Sequence, residues 1–331
     1  MKKKIITILM ASALCMSAVA CGNTKGDTST SGTEEINEDT VENSEDVEKE
    51  DEEAEETEEV EVTIDEEVEI TKENFPDDIF RDYIKENFDL DNDDILSVEE
   101  LSAIEEIDIN QKKVGDVTGI EYFLNLKSIY ANSNDLSSID ISNNVHLQSL
   151  CCAANEISSI DVSNNKELTN ITINNNPLTE LDVSENELLG SLDCQSTDLT
   201  SLDVSNHSNL RFLKCSDCEI AELNVSGCTS LFGFECRSNN LTELDVSDCS
   251  GLESLYCSYN KLTSLDVSGF SGLIYLSCEG NELTSLNVKG CTALSSFYCS
   301  DNNLTELDLS DLMPEEDMYM CSVDDDVNII R

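Results

Sequence analysis

A leucine recurs at an unbroken interval of 21 residues, at Leu126, Leu147, Leu168, Leu189, Leu210, Leu231, Leu252, Leu273 and Leu294. No other feature restricts the fold as strongly. A unit this short cannot bury an apolar face alone, so successive copies must stack and share one continuous core. The unit reads LxxLxCxxNxLxxLDVSxNxx and is clearest from Leu252 to Val267, LESLYCSYNKLTSLDV. It holds two strand-like motifs, LxxLxC and LxxLDV, in which apolar and polar positions alternate. The Leu, Ile, Val and Cys columns therefore face inward. Each coil is expected to lay one stretch into each of two parallel sheets, and at about 4.8 Å per coil the stack is roughly 43 Å long.

The repeat resembles the leucine-rich-repeat family, specifically its nested 21-residue, internalin-like bacterial class, from Leu126 to about Leu309. The resemblance implies a leucine-rich-repeat solenoid, mainly β, of about nine coils. It also implies that the Asn column (Asn134, Asn155, Asn176, Asn239, Asn260, Asn281, Asn302) bonds turn amides between coils, with its weakest rungs at Thr197 and Cys218. The repeats occupy 126–314, an irregular capping coil 107–125, and a C-terminal cap or tail 315–331, with Met313, Met318, Tyr319 and Met320 expected to fold over the last coil.

Fifteen cysteines invite a disulfide or zinc reading, and Cys215 and Cys218 match CxxC. Position argues otherwise. Cys152, Cys194, Cys215, Cys236, Cys257, Cys278 and Cys299 share one inward column with Ala131 and Ile173, so they are expected to pack as small hydrophobes with free thiols.

The first twenty residues combine Lys2, Lys3 and Lys4 with an apolar run too short to span a bilayer, the pattern of a removable export signal. Ala18-Val19-Ala20-Cys21 resembles a lipobox, which implies a lipidated Cys21 and a protein held on the outer face of the bacterial membrane. Residues 21–72 form an acidic segment, with 21 acidic residues against Lys49 between Glu34 and Glu69, and are expected to be a disordered spacer. Its coil dimension is on the order of 40 Å. The chain carries 71 acidic and 18 basic residues, a net charge of -53, which excludes nucleic-acid binding because phosphate contacts need Lys or Arg.

Residues 73–106 read as helix, loop, helix: Ile79, Phe80, Tyr83, Ile84 and Phe88 recur at helical spacing after Pro76, and Asp89 to Glu100 (DLDNDDILSVEE) follow. This loop resembles an EF-hand or dockerin-type calcium loop. The resemblance assigns side-chain ligands to Asp89, Asp91, Asp93 and Glu100, a backbone carbonyl to Ile95, and a ninth place to Ser97. Asp94 stands where that family has Gly. Calcium is expected to bind weakly and to act as a structural staple of the cap.

Aspartates at 140, 161, 182, 203, 245, 266 and 308 repeat on the outer side of the LxxLDV stretches, as scaffold would. The LxxLxC face varies, carrying Phe212, Lys214, Tyr256, Tyr275 and Tyr298, with Arg211, Phe232, Arg237 and Tyr259 at adjoining turns and Ile274 beside them. Aromatics and arginines anchor protein interfaces. The expected function is a non-catalytic, monomeric binding module that recognises a protein or glycan through this face. An envelope scaffold without a dedicated ligand is the alternative, and a carbohydrate-active solenoid enzyme is a third class. His146 and His207 are expected at unrelated surface positions of different coils, which suggests no Ser, His and Asp set.

Overall fold

A computed structural model describes residues 66–312 and 320–331. The stretch expected to be an export signal, Cys21 and most of the expected acidic spacer lie outside the described residues, as do residues 313–319. No helix among the described residues is long and apolar enough to cross a membrane.

The repeats wind into a parallel β solenoid. Eleven three-residue strands stack in chain order into one sheet, from Glu106–Asp108 through Ser128–Tyr130 and on to Ser296–Tyr298 and Met320–Ser322. Every rung pairs residues in register, such as Leu255 with Leu276. From Glu106–Asp108 to Ser296–Tyr298 the central residue of each strand points into the core: Ile107, Ile129, Leu150, Ile171, Leu192, Leu213, Phe234, Leu255, Leu276 and Phe297 are fully buried. So are the seven cysteines of the inward column, and the described cysteines are free thiols. Burial disfavours thiolate and pushes the thiols of Cys152 and Cys257 up to about 12, for Cys257 despite the nearby Arg237 charge. The column is therefore packing rather than chemistry.

The asparagine ladder forms as the repeat implied. Asn260 donates from Nδ2 to the carbonyls of Cys236 (2.9 Å) and Cys257 (3.1 Å), and its Oδ1 accepts from the Leu241 amide (3.1 Å). Thr197 and Cys218 replace only the donor half, bonding to the Cys194 carbonyl at 2.9 and 3.4 Å. A second inward column, which the repeat motif did not single out, runs through Asn144, Asn165, Asn186, His207, Cys228, Cys249, Phe270 and Cys291. Apart from Phe270, its side chains reach back to a carbonyl 24 residues earlier, as Asn165 does to Ile141 (3.0 Å) and Cys228 to Val204 (3.1 Å). His207 belongs here, which corrects its expected surface position: it is 4% exposed, with Nε2 3.0 Å from the Val183 carbonyl and Nδ1 3.0 Å from that of Val204. His146 is half-buried and lies 2.9 Å from Glu167.

The second sheet is discontinuous, whereas every coil had been expected to contribute a strand to it. Three two-stranded pieces form: Ser201–Asp203 with Glu222–Asn224, Ser264–Asp266 with Ser285–Asn287, and Glu306–Asp308 with Asn328–Ile330. In each piece an asparagine of the later coil donates to a carboxylate of the earlier one: Asn224 to Asp203 (3.2 Å), Asn287 to Asp266 (3.0 Å) and Asn328 to Glu306 (3.2 Å). Where aspartate lies over aspartate, from Asp140 to Asp203 and from Asp245 to Asp266, no strand pair forms among the described residues. Like charges stacked at the spacing of adjacent strands destabilise pairing, and a neutral amide donor relieves it. At the C-terminus, Met320–Ser322 and Asn328–Ile330 add strands to the two sheets; of the residues expected to fold over the last coil, Met313, Met318 and Tyr319 lie outside the described residues.

The N-terminal cap is built around Phe75, which packs on Phe80, Tyr122 and Phe123 with ring centroids 5.9 to 6.2 Å apart. Helix α1 (Asp78–Phe88) starts at Asp77, whose Oδ1 accepts from the amides of Ile79 and Phe80. The other oxygen, Oδ2, accepts from the Gly115 amide at 3.0 Å, which ties the cap to the first coil. Gly119 has φ +106, and a Cβ there would sit 2.3 Å from the Phe75 ring. The cap also corrects the boundary of the spacer. Residues 66–72 are ordered, because Val68–Glu69 (β1) pairs antiparallel with Ile95–Leu96 (β2) and Ile70 enters the core.

Candidate functional site

The first-sheet face gathers the variable residues into two groups. In the first, Phe212 and Phe232 meet edge to face at 5.8 Å, Arg211 lies 5.9 Å from the Phe212 ring, and Lys214 sits 3.7 Å from Glu235. Phe212 is 40% exposed.

The second group is a tyrosine row. In-register pairing puts Tyr256, Ser277 and Tyr298 in one outward column and Ser254, Tyr275 and Ser296 in the other. Large and small residues thus alternate in both columns, and Tyr275 fills the space beside Ser277. The rings pack at 4.4 Å (Tyr256 to Tyr275) and 5.5 Å (Tyr275 to Tyr298). Arg237 lays its guanidinium 4.1 Å from the Tyr256 ring centroid, within cation–π range, and its buried Nε has no hydrogen-bond partner. Burial and the adjoining tyrosines push the Tyr275 hydroxyl up to about 12, so it stays protonated and able to donate. Ile274 borders this row and is 44% exposed.

Tyr259 occupies the turn beyond the strand and is 57% exposed. Its hydroxyl donates to Glu279 Oε1 at 3.3 Å. The structure thus brings Arg237, Tyr256, Tyr275 and Tyr298 together as one cluster. Arg211, Phe212, Lys214 and Phe232 form a second cluster nearer the N-terminus of the same sheet.

The acidic loop is compact. Ligand oxygens of Asp89, Asp91 and Asp93 lie within 4.8 Å of one another. Asp94, at the place of the usual glycine, has φ +67, a conformation that Asp tolerates better than most residues, and it pairs with Lys85. Asp89 accepts from the amides of Asp93 and Asp94, each at 3.1 Å. Helix α2 (Val98–Ala103) is capped by Ser97, and Glu100 closes the loop by accepting from the amides of Leu90 (2.7 Å) and Ser97 (2.9 Å). Desolvation and the charges of Asp93, Glu100 and Asp89 raise the Asp91 carboxyl above its ordinary value. Converging carboxylates of this kind are an oxygen-rich donor set suited to a hard cation.

Comparisons with known proteins agree with this architecture. A family model described as Leucine Rich Repeat matches residues 251–273. Internalin J of Listeria monocytogenes is 31% identical over 70 residues, which are 21% of this chain and 8% of that protein. A solved functional domain of internalin J, described as including a cysteine ladder, aligns with TM-score 0.70 at 30% identity over 80% of this chain and 63% of that one. An internalin (inlF) from the same species aligns with TM-score 0.54 at 21% identity, over 80% of this chain and 97% of that one, and supports the fold alone. The present chain spans less than two thirds of either internalin J match.

Proposed function

We propose that this leucine-rich-repeat, internalin-like chain is a non-catalytic binding module of the bacterial cell surface that captures a protein partner on its first-sheet face. The observation that carries the reading is the contrast between faces. Two aromatic and arginine clusters mark a first face whose other outward residues change from coil to coil, as Glu106, Tyr130, Thr172 and Asp193 do, while the second face repeats Asp and Ser nearly coil after coil. Recognition energy concentrates in buried aromatic and arginine anchors, and a repeated surface cannot discriminate between partners.

A lipidated Cys21 and the acidic spacer would hold the solenoid off the membrane and give it reach; the export-signal pattern supports this part of the reading. Calcium at Asp89, Asp91, Asp93, the Ile95 carbonyl, Ser97 and Glu100 would brace the cap, and the convergence of three carboxylates supports it. Glu100 already caps α2 and holds the Leu90 amide, so metal and cap would share one residue. Adding calcium to chelator-treated protein is expected to raise the melting temperature, and Asp91→Asn is expected to abolish the increase.

The test of the binding role is capture from envelope extracts with the purified chain. Phe212→Ala, Tyr256→Ala and Tyr275→Ala are each expected to weaken capture by about 1–3 kcal/mol, the usual range for anchors. Unchanged capture in all three variants would favour a structural scaffold. Loss of a glycan instead of a protein would change the class of ligand.

A further inference from the structure

The turn column Ser133, Ala154, Asn175, Ser196, Asp217, Ser238, Tyr259, Gly280 and Asp301 has positive φ in every coil. Eight of these nine positions hold residues that are small or of the Asn/Asp type. Tyr259 holds φ +57 with a bulky ring, an uncommon and costly conformation for such a side chain. Its ring lies over the next residue of the column: a Cβ on Gly280 would fall 2.6 Å from Tyr259 Cδ1. Gly280 is thus the floor that lets the ring lie across the ridge, with much of Tyr259 left to solvent.

A carboxylate, Glu279, edges this ring, and Asp301 follows Gly280 in the same turn column. Glu279 accepts its hydroxyl, and the charges of Glu279 and Asp301 raise the phenol above its ordinary value. Neither carboxylate is in an ion pair among the described residues. The adjacent tyrosine row already holds a guanidinium, that of Arg237, over Tyr256 at 4.1 Å. A flat ring edged by a carboxylate offers a planar cation both a stacking face and a hydrogen-bond acceptor, and arginine fits both better than lysine. The chain's net charge of -53 adds long-range attraction for a basic partner.

We propose that Tyr259, Glu279 and Asp301 form a seat for an arginine side chain of a basic protein partner, at the rim of the first-sheet face. The inference rests on the reading of that face as a protein-binding surface and adds the partner's chemistry. It makes Tyr259 a specificity-determining residue whose backbone strain is retained for recognition.

The experiment uses the full chain and tetra-arginine amide at physiological salt, with tetralysine amide and chitotetraose as comparisons. Binding is read by calorimetry and by tyrosine emission, since the chain has no Trp. Tyr259→Asn places a residue already used in this column, at Asn175, so the variant is expected to fold with an equal or higher melting temperature. Tetra-arginine is expected to bind more tightly than tetralysine, and to lose at least fivefold in affinity in both Tyr259→Asn and Glu279→Gln. Asp161→Asn with Asp182→Asn on the other face is expected to cost less than twofold. Wild-type affinity in Tyr259→Asn, an equal loss in the second-face variant, or preferential chitotetraose binding each overturns the proposal. Failures of the two readings are separable. If peptide binding ignores Tyr259 while capture from extracts needs Phe212 and Tyr256, the rim seat falls and the face stands. If peptide binding needs Tyr259 while capture ignores Phe212 and Tyr256, the seat stands and the broader reading of the face falls.

Discussion

The two faces of this solenoid are built from the same 21-residue unit and end up different in kind. Among the described residues the first carries an unbroken eleven-stranded sheet, while the second has three two-stranded pieces. Outward side chains account for the difference. On the first face most outward residues are neutral and the charged ones do not stack on like charges, Lys214 lying between Asp193 and Glu235, and the backbone ladder closes at every coil. On the second, aspartate over aspartate holds adjacent stretches unpaired, and pairs form where an asparagine reaches down to a carboxylate. A solenoid can thus keep one face regular enough to be a platform while the other carries repeated rows of carboxylates.

The comparison breaks most severely in the core. Leu255→Ala, beneath the continuous sheet and fully buried, is expected to cost about 2–5 kcal/mol by cavity formation. Leu244 lies beneath the interrupted face and is 8% exposed, so Leu244→Ala should fall at the lower end of that range. Chemical denaturation of both variants measures the difference. The asparagines separate next. Asn260→Ala strands the Leu241 amide in the interior, for about 1–3 kcal/mol, while the Cys236 and Cys257 carbonyls keep Asn239 and Asn281 as donors; Asn287→Ala loses only exposed bonds and should cost a few tenths.

Acid sharpens the contrast. Bonds from Ser142, Ser163, Ser184 and Ser247 hold Asp140, Asp161, Asp182 and Asp245 below the ordinary carboxylate value of 3.8. A depressed folded value means stability that is fully present above 3.8 and lost as pH falls through the lower folded values. Melting temperature should therefore fall below about pH 4, and second-face amides should exchange first. The last expected effect is a small gain, in Asp182→Asn. It supplies Asp161 with the donor seen at the other paired rungs, and should slow hydrogen exchange near Asp182 and stabilise by about 0.2–1 kcal/mol.

Much of this was legible before any coordinates. A strict period fixes which columns are inward, so the leucines and the cysteine column follow from spacing, while the asparagine ladder was implied by the resemblance to leucine-rich repeats. The second inward column was equally periodic but chemically mixed: Asn144, His207, Cys228 and Phe270 share no property except place, and a search by residue type overlooks them. That is why His207 was expected at the surface. The aromatic face was visible as a list of outward residues, but its division into a phenylalanine pair and a tyrosine row was not. That division depends on which residue stands across from which, as Ser277 does between Tyr256 and Tyr298. The ordered start at Val68 was hidden by acidic neighbours, because two or three apolar residues pair only when a strand such as Ile95–Leu96 is waiting.

The central claim is that one face of the coil stack does the recognising. Hydrogen exchange of the full chain, alone and with its captured partner, tests it most directly. Protection confined to the stretches from Phe212–Lys214 through Ser296–Tyr298, together with the Tyr259 turn, is the predicted footprint. Protection centred instead on the aspartate rungs from Asp140 to Asp203, with the aromatic strands unchanged, would contradict it.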